Sequence, residues 1–165
     1  MICPERLALP ADSLPGESVV ALYFVDQRPL VGPAALLDWR LDGQLTRMLL
    51  DDQVRGRAGE HVVMQNNGKL NAEWVMFVGG GNWRGLCRET HAALVRHMLR
   101  VARQAGIRKI SLAFMLHEEI DSDILLEQIN DALASEGAGI DTCSFSCEAV
   151  VSASEPDRGR PRTLS

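Results

Sequence analysis

Apolar and polar positions follow two rhythms along this chain, and the sharpest change between them falls within Trp74–Gly106. Trp74–Val78 is apolar at every position, and Gly79, Gly80 and Gly81 end the run. From Arg88 to Gln104, Leu94, Val95, Met98, Leu99, Val101 and Ala102 recur at helical spacing. A run with no polar residue suits a strand covered on both faces, as in a central, partly parallel sheet. Spacings of three and four suit an amphipathic helix. Strand, tight loop and helix make the unit from which α/β layers are built, with helices on both faces of the sheet.

The same rhythms organise the rest. Ser18–Val25, rich in β-branched and aromatic residues, predicts a strand. Pro33 suits a first helical turn, and Leu36, Leu37, Leu41, Leu45, Met48 and Leu49 predict two short helices broken near Asp42-Gly43 and ending about Asp51. Gln53–Glu60 is polar and glycine-bearing and reads as a solvated loop, an anion contact through Arg55 and Arg57 being the alternative. His61–Gln65 and Ala72–Val78 flank the turn residues Asn66-Asn67-Gly68-Lys69 and predict a hairpin. Arg108–Leu116 predicts a strand that closes a strand–helix–strand unit with a right-handed crossover. Asp121 or Ser122 caps a helix over Asp123–Ser135, stopped by Gly137 or Gly139. Thr142–Val151 alternates cleanly and predicts a strand with one more polar face. Three prolines in residues 1–18 predict a lead-in with a short edge strand near Arg6–Leu9. One domain is expected over residues 1–153, with a disordered tail over 154–165.

Composition narrows the function classes. A length of 165 residues fits one domain. The formal net charge of −5 argues against a whole-molecule preference for nucleic acid or anionic membrane. No apolar run approaches the roughly 20 residues that span a bilayer, and no basic start precedes an apolar core, so no signal peptide is expected. Cys3, Cys87, Cys143 and Cys147 include no CxxC pair and read as reduced thiols in the cytoplasm. Cys143 and Cys147, four apart on a strand, lie roughly 13 Å from each other, too far for a disulfide.

Candidate chemistry concentrates at the glycine triplet. Backbone N–H groups of Gly79, Gly80 and Gly81 at a helix entrance can surround an anion, with Asn82 beside them and Trp83 placed to stack on a base. A nucleotide-like ligand is the functional reading. The stretch GGGNWRG is neither a dinucleotide fingerprint nor a P-loop, and the plainer reading is that glycine permits a tight exit and close helix–sheet approach. His117, Glu118, Glu119, Asp121 and Asp123 crowd one strand end, but HEEIDSD lacks the HExxH spacing; no metal and no cofactor are expected. Cys87 near a helix start has no histidine partner in sequence, and no catalytic residue is assigned. Arg96, Arg100 and Arg103 share a helix face, read as solvated. With no interleaved aromatics, nucleic-acid binding is not expected.

Leu36-Leu37-Asp38, Leu41-Asp42-Gly43-Gln44-Leu45, Gly56, Gly59-Glu60, Leu70–Ala72 and Val75–Gly81 occur in an order that resembles the N-terminal domain of the leucyl aminopeptidases, the M17 peptidases. The resemblance runs over about residues 18–151 and is densest over 29–81. It implies a three-layer α/β/α, macro-domain-like mixed sheet flanked by helices. In that family the metal ions and the peptidase chemistry belong to a separate C-terminal domain, to which no residue of this sequence matches. The resemblance therefore implies a stand-alone, non-catalytic module that meets a protein partner or a second copy of itself. Macro domains proper bind ADP-ribose in a glycine-lined cleft at the strand ends, where Gly79–Gly85 falls; this is the alternative. A hydrolase or a component of an aminopeptidase is the third reading.

Overall fold

The computed structural model describes residues 2–149. Six strands form one mixed sheet: β1 (Glu5–Arg6), β2 (Ser18–Tyr23), β3 (His61–Gln65), β4 (Trp74–Gly79), β5 (Lys109–Met115) and β6 (Thr142–Glu148). Their order is β1-β6-β5-β2-β4-β3. All neighbours are parallel except β3, which pairs antiparallel to β4 as the predicted hairpin and forms one edge. The fold is thus α/β, with a mixed sheet.

Alternation along each strand sorts the core into two layers. Val20, Met76, Val78, Ile110, Leu112 and Phe114 pack on one face with α3 (Arg88–Gln104) and α4 (Ser122–Glu136). Val19, Ala21, Tyr23, Val75 and Phe77 pack on the other with α1 (Gly32–Arg40) and α2 (Gln44–Leu50). These central strands are buried on both sides, which is why they read as apolar runs. The predicted strand–helix–strand unit crosses over one strand: β4 and β5 are both parallel to β2, which lies between them, with Ser18 opposite both Trp74 and Ile110. The first strand ends at Tyr23, two residues short of the expected Val25. Val150, Val151 and the expected tail over 154–165 lie outside the described residues.

The break between α1 and α2 has a side-chain cause that the sequence pattern does not display. Gly43 and Asp42 both adopt positive φ, 74° and 62°, at the joint. The buried Asp38 carboxylate then caps α2 from α1: its Oδ1 accepts from Leu45 N–H at 2.7 Å and Thr46 N–H at 3.3 Å, and Thr46 Oγ1 donates to Oδ2. Asp38→Ala strands the buried Leu45 N–H and is expected to cost about 1–3 kcal/mol, read as a lowered urea midpoint. Asp38→Asn keeps one acceptor and should cost less.

Candidate functional site

In open α/β sheets, ligands meet the crevice beyond the carboxyl ends of the parallel strands. Three segments converge there in this chain. Phe24 follows β2, Gly80–Trp83 follows β4 and His117 follows β5. The Trp83 ring stands edge-on to Phe24, centroids 5.1 Å apart, and to His117 at 4.7 Å. The chain's own aromatics thus close the innermost part of the crevice, where the space between Phe24, Trp83, His91 and Phe114 is about 20 Å³ for a water centre, enough for one water. Two shallower concavities flank the loop, one of about 430 Å³ beside Trp83, Arg84, His117 and Glu118 and one of about 400 Å³ beside Ala58, Gly80, Asn82 and Leu86.

The glycines do their work by packing. Gly80 N–H donates to Tyr23 C=O, Gly81 N–H to Gly56 C=O and Gly79 N–H to Glu60 C=O, each at 2.8 Å. All three amides thus have internal acceptors. A Cβ on Gly79 would overlap the Arg57 carbonyl, and one on Gly80 would overlap the Phe24 ring. The segment 55–60, expected as a solvated loop, lies against the triplet and is pinned by Glu60. Its carboxylate accepts from Tyr23 Oη and Gly56 N–H, both at 2.8 Å, and from Arg55 N–H at 3.1 Å. Burial works against the Glu60 charge, yet the Gly56 amide, the Tyr23 hydroxyl and the Arg55 amide hold its carboxyl below the usual range. Burial and the Glu60 charge push the Tyr23 phenol up.

Beyond Asn82, the amides of Trp83 and Arg84 face an anion supplied by the chain itself. Asp26, just past β2, accepts from Trp83 N–H at 2.8 Å and Arg84 N–H at 3.0 Å. Burial opposes its charge, but those amides keep its carboxyl below the ordinary range. His117 ties the same loop from the other side. Its Nδ1 accepts from Glu119 N–H at 3.0 Å, so the proton sits on Nε2 and is donated to Trp83 C=O at 2.9 Å. Of the neighbouring carboxylates, Asp121 caps α4 through Ile124 N–H. Among the described residues no three His, Cys, Asp or Glu side chains are grouped to hold a metal ion.

Other expected features take structural roles. Arg100 and Arg103 are not a free basic face: both bind Glu136 of α4, at 2.9 and 3.1 Å. Cys87 caps α3 in place of a serine, with its thiol held below its ordinary value by the Thr90 hydroxyl and amide. The four cysteines are free, and burial pushes Cys143 up to about 12. His91 is 2% exposed, and Nδ1–H donates to Gln128 Oε1 at 2.6 Å while Gln128 Nε2 donates to Arg88 C=O.

Burial lowers the His91 pKa below its ordinary 6.5, against the Gln128 bond that raises it. The unfolded chain therefore takes the proton first. The stability carried by neutral His91 is full above the unfolded value and is lost as pH falls from there toward the depressed one. Urea midpoints should fall between about pH 7.5 and 5.5. The fall should be shallower in His91→Gln, though not abolished, because burial also depresses His97.

A broad, open concavity lies elsewhere, on the outer side of α1 and α2. It measures about 690 Å³ and is lined by Pro29, Leu30, Trp39, Arg47 and Leu50 among others. Trp39 is 69% exposed and Leu50 81% exposed, the two most exposed large apolar side chains of the described residues. Sequence periodicity placed Leu50 near a helix end without indicating that it faces water. Trp39 carried no such signal either, because one apolar residue off the stripe is common.

Comparison with known proteins agrees with this architecture. The chain shares 28% identity over 109 residues with a probable cytosol aminopeptidase of Alkaliphilus oremlandii, covering 66% of this chain and 21% of that protein. It thus spans about a fifth of the curated relative it matches. A mutant of tomato leucine aminopeptidase superposes with a TM-score of 0.64 at 12% identity, over 94% of this chain and 34% of that one. A Trypanosoma brucei macrodomain solved with ADP-ribose gives 0.61 at 19% identity, over 88% of this chain and 62% of that one. The DarG macrodomain of Mycobacterium tuberculosis gives 0.61 at 15% identity, over 90% and 97%. At these identities the superpositions show the fold alone, and it is macrodomain-like. The N-terminal domain model of the cytosol aminopeptidase family matches residues 19–138, from the start of β2 through α4. A match over most of the sequence, on the same sheet and helices, makes this chain a member of the cytosol aminopeptidase family through its N-terminal domain.

Proposed function

We propose that this domain is a non-catalytic interaction module of the cytosol aminopeptidase family, docking a protein through the groove between Pro29–Leu30, α1 and α2. The observation that carries the reading is the pairing of exposed Trp39 and Leu50 in one concavity. Leu9, Val63 and Leu126 are the other exposed large apolar side chains, and none of them lines this groove. Exposed large apolar side chains gathered in one concavity are a mark of contact sites, and tryptophan is among the residues enriched where such contacts are strongest. Four free thiols are in keeping with a cytoplasmic setting, and no helix among the described residues is long and apolar enough to cross a membrane.

The reading is tested with a photo-crosslinking residue placed at position 39, and a control at 126, in the producing cells. A discrete adduct at 39 that disappears with Leu50→Ser is expected, with none at 126. No adduct at 39 would sink the reading.

A second reading, a nucleotide-like ligand at Gly79, Gly80, Gly81, Asn82 and Trp83, draws support from the neighbour solved with ADP-ribose. A concavity of about 400 Å³ lies against Gly80 and Asn82, but the amides of Gly79, Gly80, Gly81, Trp83 and Arg84 already have acceptors within the chain, and a ligand would have to compete with them. Thermal-shift titrations with ADP-ribose, ADP and phosphate are therefore expected to be flat. A saturable shift would move this reading to first place. With Mn²⁺ or Zn²⁺ added, the purified chain is expected to release no amino acid from peptides; turnover that follows the protein through chromatography would overturn the non-catalytic assignment.

A further inference from the structure

We infer that the occupant of the Trp39–Leu50 groove is a second copy of this chain, packed about a twofold axis across α2; this rests on the docking reading above. The charges around the groove point to it. Asp38 is consumed in capping α2, Asp42 is paired with Lys69 at 2.8 Å, and Arg40 is paired with Asp12 at 2.8 Å while stacking 4.9 Å over Trp39. Two charges remain without an ion-pair partner among the described residues: Arg47, and Asp51 one turn further on. Both are exposed, and at helical spacing they share a face with Leu50.

One cation and one anion, four residues apart beside an apolar centre, form a self-complementary patch. Two copies of α2 laid antiparallel bring Arg47 of each against Asp51 of the other, twice, with the Leu50 side chains between them. The patch is neutral on a chain whose net charge is −5. Neither a strongly acidic nor a strongly basic partner is selected there, and two acidic copies can meet without like charges facing. A stable interface takes roughly 800 Å² from each partner. That is about a tenth of the 8224 Å² this chain exposes, more than the groove alone offers, so the dimer is sized to be reversible.

Sedimentation equilibrium of the full chain over about 5–500 µM reads the prediction, that range bracketing a reversible contact. The mass should rise with concentration toward twice that of the chain. Leu50→Ser should weaken association at least about tenfold, as expected for one buried leucine. Arg47→Asp and Asp51→Arg should each weaken it, and the two together in one chain should restore it, because the swapped charges face each other again. Leu50, Arg47 and Asp51 are exposed, so these variants retain the fold. A mass that stays at one chain throughout, or association indifferent to both charge reversals, overturns the second-copy assignment. A crosslink from position 39 to a different protein, with the chain itself monomeric, overturns it too while leaving the docking reading standing. No crosslink and no association removes both.

Discussion

Gly79→Ala is expected to cost at least about 3 kcal/mol, the upper range for forcing a methyl into a packed site. At about 2–4 °C per kcal/mol for a domain of this size, calorimetry should show Tm falling by about 6–12 °C, or no folded protein at all. The reason is positional. The added carbon overlaps the Arg57 carbonyl, which is backbone and has no rotamer to yield. Gly80→Ala meets the Phe24 side chain instead, a ring that can turn, so its cost should be smaller. Gly81 differs again: its φ of 79° is the reason for glycine there, and nothing crowds a Cβ below 3.9 Å. If Gly79→Ala leaves Tm within about 2 °C, less than 1 kcal/mol on the same scale, the close approach of segment 55–60 to β4 is wrong.

Glu60→Ala should be nearly as damaging, about 2–4 kcal/mol, because one deletion orphans three donors. Tyr23 Oη, Gly56 N–H and Arg55 N–H all lose their acceptor, and hydrogen bonds to a charged group are worth roughly 1.5–3 kcal/mol each before the loop relaxes. Tyr23 is fully buried, so its hydroxyl has no water to turn to. Glu60→Gln keeps one acceptor oxygen and should recover about half the loss. The carboxyl is depressed in the folded state, so its contribution is full above the unfolded carboxylate value and is lost as pH falls through the folded one. The gap between wild type and Glu60→Gln should accordingly close in acid, below about pH 4. Combined with Gly79→Ala, the losses should not add, since both act on the same strap.

How far this fold is legible in its sequence follows from the range of each interaction. The strands around Val75–Val78 and Ile110–Phe114, and the stripe of α3, show in the sequence because burial on a regular element imposes a local period. The hairpin and both breaks, at Gly43 and Gly137, show because turn chemistry is local too. Sheet order does not: nothing near Ser18 says that Trp74 and Ile110 will flank it. The Asp38 cap of α2 was hidden because its partners come from the next helix. Glu60 reads as part of a solvated loop, since a polar, glycine-bearing stretch looks alike whether it faces water or straps a sheet. At the candidate site, the glycine triplet was visible but its use was not, because the acceptors of its amides lie some 20 to 60 residues away in sequence.

The placement of β2 has a consequence for how the protein is made. The strand at the middle of the sheet leaves the ribosome early, and both of its edges stay bare until Trp74–Gly79 and then Lys109–Met115 have been synthesised. Until then Val19, Val20, Ala21 and Tyr23 form an apolar ribbon with no neighbours, the kind of segment that pairs with other nascent chains. Such long-range pairing slows folding, so recovery after dilution from urea should fall as protein concentration rises, and chaperones that hold extended apolar segments should raise it.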